Sequence, residues 1–500
     1  MLGTEALQLR SHMSDKPDTG TVYPTSPPEA WRGATQLARS VKGSIDRFLH
    51  VEAAGGIVLL AAAAIALVWA NSPWSDMYDR LWHTHVSIGI GDWTFDESLH
   101  FWVNELLMTV FFLVVGLEIK REIVEGALSD VRRAALPIAA AIGGMLAPAA
   151  IYLVINPADP FREGWGVPMA TDIAFAVGVL SLLGRRVPAT LRVLVLAIAI
   201  IDDIGAILVI AVFYASGFAP EGLLIAAAGL GLLFLLLKIG VRPGFIFAIP
   251  LLIIWTGMLR AGIHPTIAGV IAGLSAPVRP WYGKEGFLRK ARSVLDEFQA
   301  RVDQEHDDHE LVKPLNELEV ARREALSPSL RTEIALHPWV AFVIMPLFAL
   351  ANAGVHLGGI DLRGSGFMAV FTGIMIGLVL GKPLGIMLCS ALVVRLRVCT
   401  LPEGVNWRGL LVAGAGAGIG FTMAIFIAEL AFTTPAMLSV AKLAILLATV
   451  LAALIALSTG WLLLSGGEQP SLVATASASE IESTTEYWTD THQVKQSGTN

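Results

Sequence analysis

The chain has 500 residues, of which 15% are charged and 55% hydrophobic, with a mean hydropathy of +0.65 and a formal net charge of −7. A soluble domain carries about 25% charged residues, so this composition excludes a string of ordinary soluble domains and describes a polytopic membrane protein. The lack of a basic excess excludes nucleic acid as a partner and leaves membrane lipid, and the two cysteines, Cys389 and Cys399, have neither disulfide nor metal-ligand spacing.

Along the chain, residues 1–45 form a polar N-terminal extension with prolines at Pro17, Pro24, Pro27 and Pro28 and no apolar signal-peptide core. A membrane domain is expected over 46–466. Its apolar runs lie at 54–71, 98–119, 134–156, 168–183, 189–215, 220–238, 244–260, 263–277, 338–354, 367–395, 408–431 and 436–464, which predicts about twelve transmembrane helices of ~20 residues each. After the first run, 83–95 alternates around Gly89 and Gly91 as a small β-hairpin does. After the eighth, 278–337 is a long charged loop. Its Asp303–Glu310 stretch contains His306 and His309 without compact coordination spacing and reads as a solvated helix face. Residues 467–500 form a polar tail rich in Ser and Thr.

Positive charge orients these runs. Twenty-nine of the 35 Lys and Arg residues fall on the side of the N-terminus, against Arg80, Arg162 and Arg363 on the other. The positive-inside rule therefore places both termini in the cytoplasm and the hairpin outside.

Four ionisable residues lie deep within apolar runs: Asp172, Asp202, Asp203 and Lys382. At ~2.5–3.5 kcal/mol each they cost roughly 10–14 kcal/mol together on insertion scales, which packing alone has no reason to incur. They point to an ion or proton pathway. Asp202 and Asp203 are neighbours on one helix and project ~100° apart, so one is expected to face a water-filled cavity while the other turns to a partner. Lys382, within Gly381-Lys-Pro-Leu-Gly385, is that expected partner, in a helix opened locally by its Gly and Pro neighbours.

Asp172 sits in Pro168-Met-Ala-Thr-Asp-Ile-Ala-Phe-Ala176, a short run whose Thr171-Asp172 pair competes for backbone hydrogen bonds and favours unwinding. A second interrupted run carries Gly414-Ala-Gly-Ala-Gly-Ile-Gly-Phe421 and Thr422, although its glycines also suit close helix packing. The broken runs are the fourth and eleventh, middle members of triplets with opposite topology, which predicts inverted repeats meeting at discontinuous helices. Asp172 is expected to compensate the positive ends of the half-helices and Lys382 the negative ends.

These features resemble the NhaA-type sodium/proton antiporters. The matching motifs are Phe111-Phe-Leu-Val-Val-Gly-Leu-Glu-Ile-Lys-Arg-Glu122, Ala170-Thr-Asp-Ile-Ala-Phe175, Ala199-Ile-Ile-Asp-Asp-Ile-Gly-Ala206, His264-Pro-Thr-Ile-Ala-Gly269, Leu336-His-Pro-Trp339, Phe348-Ala-Leu-Ala-Asn-Ala-Gly354, Gly381-Lys-Pro-Leu-Gly-Ile386 and Gly418-Ile-Gly-Phe-Thr-Met423, in the family's order across roughly 46–465. The resemblance implies a pH-regulated, electrogenic exchange of Na+ or Li+ for H+ across the bacterial inner membrane, with no enzymatic activity and no cofactor besides the transported ions. It implies ion binding by Asp203 with Asp202, support from Thr171 and Asp172, and Lys382 as the partner of Asp202 in charge compensation and proton coupling. Glu118, Glu122, Glu333 and His264 take the family's pH-response positions, and homodimers pair through the outer hairpin around 83–95.

The sequence departs from the family pattern in places. The family's eighth-to-ninth connection is shorter, so 284–325 inherits no role, and Leu330 and Ile334 are apolar where the pattern has a basic residue and a histidine. Two rival readings fit less well. An aspartyl protease needs acids converging from separate elements to share a proton, whereas Asp202 and Asp203 are adjacent. A sodium-coupled organic-solute symporter has a similar scaffold, but Lys382 competes for a carboxylate that such a site would use for its cation.

Overall fold

The computed structural model describes residues 52–464 apart from 92, 216, 218, 242–244, 305–307 and 360–365. The expected extension over 1–45, the tail over 467–500 and His306 lie outside the described residues.

Helices dominate, and their ends follow local chemistry. The described residues begin with α1 (Glu52–Ala70), which turns by 117° into a short amphipathic α2 (Ser75–Trp82). Strands β1 (His85–Ile90) and β2 (Trp93–Ser98) then pair antiparallel, with Ile90 opposite Trp93. The hairpin thus reaches three residues past the expected 95. Gly91 supplies the positive φ, +63°, that its two-residue turn requires. Phe95 packs edge-on against Trp102 and Trp255, while Ile88 opposite it on β1 is exposed.

The long helices are α3 (Leu99–Val124), α4 (Val131–Ile155), α6 (Ala189–Phe213), α7 (Pro220–Ile239), α12 (Pro328–Asn352), α13 (Phe367–Arg395) and α16 (Pro435–Leu463). Proline starts α7, α12 and α16, where its missing N–H costs nothing. Shorter helices are α5 (Ile173–Leu182), α8 (Ala248–Ala261), α9 (Ile267–Ser275), α14 (Trp407–Ala417) and α15 (Phe421–Ala431). The charged connection folds as a helical pair, α10 (Gly283–Asp303) and α11 (Asp308–Glu324). The surface between helix ends is apolar, with Leu224 72% and Leu462 71% exposed, as lipid-facing residues are.

Among the described residues seven helices are long and apolar enough to cross a membrane, or up to ten when each bent helix pair is one crossing. This is an all-α integral membrane protein with a small hairpin. The runs at 244–260 and 263–277 yield helices of only 14 and 9 residues, short of the ~20 a full crossing takes. The run at 338–354 is longer than its apolar part suggests: α12 starts at Pro328, so Glu333 rides on the helix itself.

Two helix pairs frame the centre. A 3₁₀ segment, Phe161–Met169, meets α5 at 46°, and α14 meets α15 at 47°. Around them α4 lies along α13. Their contact depends on Gly143 and Gly385, since a Cβ on either would collide with the carbonyl oxygen of the other.

Candidate functional site

The two breaks cross each other. Ala170 and Asp172 have extended backbones, and the Asp172 N–H donates to the Ile419 carbonyl at 2.8 Å, so the segment between the 3₁₀ turn and α5 pairs with the one between α14 and α15. Glycines permit the close approach: a Cβ at Gly418 would lie 2.6 Å from the Leu378 carbonyl oxygen, and one at Gly420 would lie 3.2 Å from that of Ala170. The glycine run thus serves both expected purposes, packing against α13 and the interruption itself.

Asp172 caps two helices at once. Its Oδ1 accepts from Phe175 N–H on α5 at 3.0 Å. Its Oδ2 accepts from the Thr422 hydroxyl at 2.5 Å and the Thr422 N–H at 3.2 Å on α15. One buried carboxylate therefore faces the positive ends of both half-helices, as helix dipoles favour. Thr449 on α16 completes the cap of α15, its hydroxyl accepting from Phe421 N–H at 3.2 Å.

The negative ends are compensated less directly than expected. Thr171 donates its hydroxyl to the Ala417 carbonyl, at the last turn of α14, at 3.0 Å. The same hydroxyl oxygen accepts from Lys382 Nζ, so the ammonium reaches the helix end through Thr171. Lys382 also pairs with Asp202 Oδ2 at 2.6 Å, with side chains 1% and 3% exposed. The expected opening of α13 takes the form of a π-helical stretch, Gly377–Gly381, immediately before Lys382 and Pro383. A π-bulge widens the turn and leaves the proline without a clash.

Asp203 shares α6 with Asp202 but not its partner. It is 2% exposed, and no hydrogen bond or ion pair to its side chain is found among the described residues. The charges near enough to act on it are Asp202, Glu118, Asp172 and Lys382. Asp202 Oδ1 is likewise buried and unpaired. The site thus combines one carboxylate held by an ammonium, one with no hydrogen bond or ion pair among the described residues and one capping two helices. Two acidic groups beside one lysine can take up a small cation or protons, and accepting either disfavours the other.

The remaining sequence-derived positions separate into two places. Glu333 pairs with Arg121 at 3.2 Å, joining α12 to α3, and Glu118 lies within the field of both. Glu122 belongs to the same turn but has a local task, accepting from Ala127 N–H at 2.6 Å. His264 stands apart: its Nε2 is 3.4 Å from Glu105 and its Nδ1 is 2.7 Å from the Thr266 hydroxyl. Glu105 precedes Glu118 by ~20 Å of α3 at 1.5 Å per residue. Sequence reasoning missed Glu105 and Thr449, and it placed Thr422 after the glycine run without giving it a role. Glu105 lies near the start of an apolar run and resembles an end-of-span charge, whereas a threonine opening a half-helix was a usable signal for Thr422.

Fold and site together define the class: a membrane transporter with a buried carboxylate–lysine centre at crossed, interrupted helices. Comparison with known proteins gives the family. The family model described as Na+/H+ antiporter 1 matches residues 46–460. A protein from Sorangium cellulosum named Na+/H+ antiporter NhaA 2 is 57% identical over 462 residues, covering 92% of this chain and 98% of the relative. One of the same name from Myxococcus xanthus is 52% identical, covering 92% and 97%. The Na+/H+ antiporter NhaA of Janthinobacterium sp. (strain Marseille) is 52% identical, covering 87% and 97%. The chain belongs to the Na+/H+ antiporter 1 family.

Proposed function

We propose that this protein is a secondary antiporter exchanging Na+ or Li+ for H+ across the bacterial inner membrane, driven by the proton gradient. The observation that carries the reading is the buried Asp202–Lys382 pair beside Asp203, which has no hydrogen bond or ion pair among the described residues, where the two broken helices meet, in a chain of this family. Protons and the alkali cation compete for Asp202 and Asp203, so loading is exclusive, and access alternates between the two faces. The ions are cargo, and nothing in this cycle calls for a cofactor or for enzymatic chemistry. The symporter alternative is dropped, because the family model and the relatives compared above are all described as Na+/H+ antiporters.

The transporter domain is 46–466, with 278–337 as its long cytoplasmic loop and 1–45 and 467–500 as cytoplasmic ends. It crosses the membrane about twelve times when the bent pairs and the short α8 and α9 each count as one crossing. Of these bent pairs, the two that meet near Thr171 and Gly418 are spans 4 and 11 of two inverted triplets. Thr171 and Asp172 hold the crossing in shape, and Lys382 couples protons: exchange is electrogenic because a second proton leaves the Asp202–Lys382 pair when sodium arrives. Glu118, Glu122 and Glu333, with Arg121, set the pH response at the cytoplasmic end, and His264 contributes from its separate position beside Glu105. Two copies pair through the outer hairpin, where β1 offers a strand edge and an exposed Ile88.

The test is sodium-triggered proton movement in proteoliposomes containing only the purified protein. Sodium-dependent alkalinisation or acidification that follows the sign of the gradient is the expected result. Sodium uptake that requires an organic solute and moves no protons contradicts the proposal.

A further inference from the structure

A second acid–lysine pair lies at the end of α3 opposite Arg121. Glu429 on α15 and Lys442 on α16 form an ion pair of 2.5 Å, with side chains 17% and 12% exposed. His100, at the start of α3, has Nε2 4.0 Å from the same Glu429 oxygen and 3.0 Å from Asn352 Oδ1 on α12. Asn352 in turn donates to Asn104 Oδ1 at 2.7 Å. Roughly 30 Å of α3 separates His100 from Arg121 at ~1.5 Å per residue.

Packing does not explain this pair. Taking both charges from water costs several kcal/mol, and apolar side chains of similar volume commonly replace such pairs without loss. Its position is informative. Thr422, which binds Asp172, and Glu429 lie on one face of α15, two turns or about 10 Å apart. Phe426 lies between them on that face, 1% exposed, with its ring 5.5 Å from Phe112, 6.2 Å from Phe348 and 5.2 Å from His264. The central site and Glu429 are thus divided by an aromatic plug and joined by one helix. The pair also sits where α15 and α16 meet α3 and α12, a seam that rocking between helix groups would part.

We infer that Glu429 is a second binding carboxylate for a monovalent alkali cation, a transit site on the outer side of the plug. Lys442 occupies its oxygen when no cation is there, as Lys382 does for Asp202. A single carboxylate already balanced by one ammonium exchanges one unit charge for one. It lacks the several oxygen ligands that would hold a divalent ion.

This inference rests on the proposed function, and its test separates the two. The probe is sodium itself, followed by sodium NMR line broadening on purified protein in detergent. The proteins are wild type, Asp203→Asn, and Asp203→Asn combined with Glu429→Gln, Glu429→Asp or Lys442→Met. Asp203→Asn should lose the tighter component and keep a weaker one. Adding Glu429→Gln should cut that weaker binding by about threefold or more, Glu429→Asp should retain it, and Lys442→Met should strengthen it by about threefold, as removing a resident competitor does. Equal weak binding in Asp203→Asn and its Glu429→Gln derivative, with monodisperse protein, overturns the inference. Unchanged tight binding in Asp203→Asn overturns the central site instead and leaves the Glu429 comparison to decide this one.

Discussion

Asp202–Lys382 and Glu317–Lys290 are the same contact in different surroundings. The first spans 2.6 Å with side chains 3% and 1% exposed, and the second spans 2.7 Å with side chains 33% and 35% exposed. Where the broken helices meet, the protein shields both charges from water in this closed arrangement, so removing one costs roughly 3–5 kcal/mol. Between α10 and α11, water takes over at once. A carboxylate becomes useful for transport when its partner cannot be replaced by water, so that a proton or an alkali cation must take the ammonium's place. Distance alone does not distinguish a transport site from a surface ion pair.

Substitutions rank by the surroundings they disturb. Asp203→Asn should abolish exchange with little loss of folded protein, because the amide neither carries the charge a cation needs nor binds the competing proton. Proteoliposome transport and thermal unfolding, measured together, check it. Lys382→Gln should leave residual exchange that no longer responds to membrane potential, since the pair that supplies the second proton is gone. Exchange in liposomes with a valinomycin-set potential reads this directly, and a voltage response like that of wild type would remove Lys382 from proton coupling.

Thr422→Val should weaken rather than abolish function. Asp172 loses one of its donors in a buried place, worth about 1–3 kcal/mol, while the Thr422 and Phe175 N–H bonds remain. A lower unfolding midpoint with a severalfold slower exchange is expected, and Thr422→Ser should restore both.

Glu317→Gln should have the smallest effect, leaving transport unchanged. Lys290 holds the Glu317 carboxyl below its usual range, and Glu317 lifts the Lys290 ammonium above its own. Because the carboxyl value is depressed on folding, its contribution is present above the unfolded value and is lost as pH falls through the lowered one. The ammonium's contribution is lost as pH rises through its raised value. Amide protection factors across α10 and α11, taken against the intrinsic exchange rate at each pH, should therefore be level between those limits and lower beyond them, with Glu317→Gln flattening the profile.

Much of the central site was legible in the chain because lipid makes every intramembrane charge conspicuous. Asp172, Asp202, Asp203 and Lys382 stood out against uniformly apolar neighbours, and the partnership of Lys382 with Asp202 followed from their burial. The breaks were legible too, through Thr171-Asp172 and the glycines after Gly414. Thr171 standing between Lys382 and the end of α14 was not, because two helices far apart in sequence had to cross before that hydroxyl met either partner. A different reason hid Glu105 with His264 and Glu429 with Lys442: each acid lies near the end of an apolar run, where a charge normally reaches water. The lengths of α8 and α9 were also hidden, since continuous hydropathy does not record where turns such as that at Gly262 fall.

The central claim is that protons and sodium exclude each other at Asp202 and Asp203. Calorimetric titration of the purified protein with sodium, repeated in buffers of different ionisation enthalpy, counts the protons released as the ion binds. Wild type should release protons on binding, and sodium affinity should fall steadily as pH is lowered, whereas Asp203→Asn should show neither binding at that site nor release. Sodium binding by the wild-type protein with no proton release, and with an affinity independent of pH, would contradict the account.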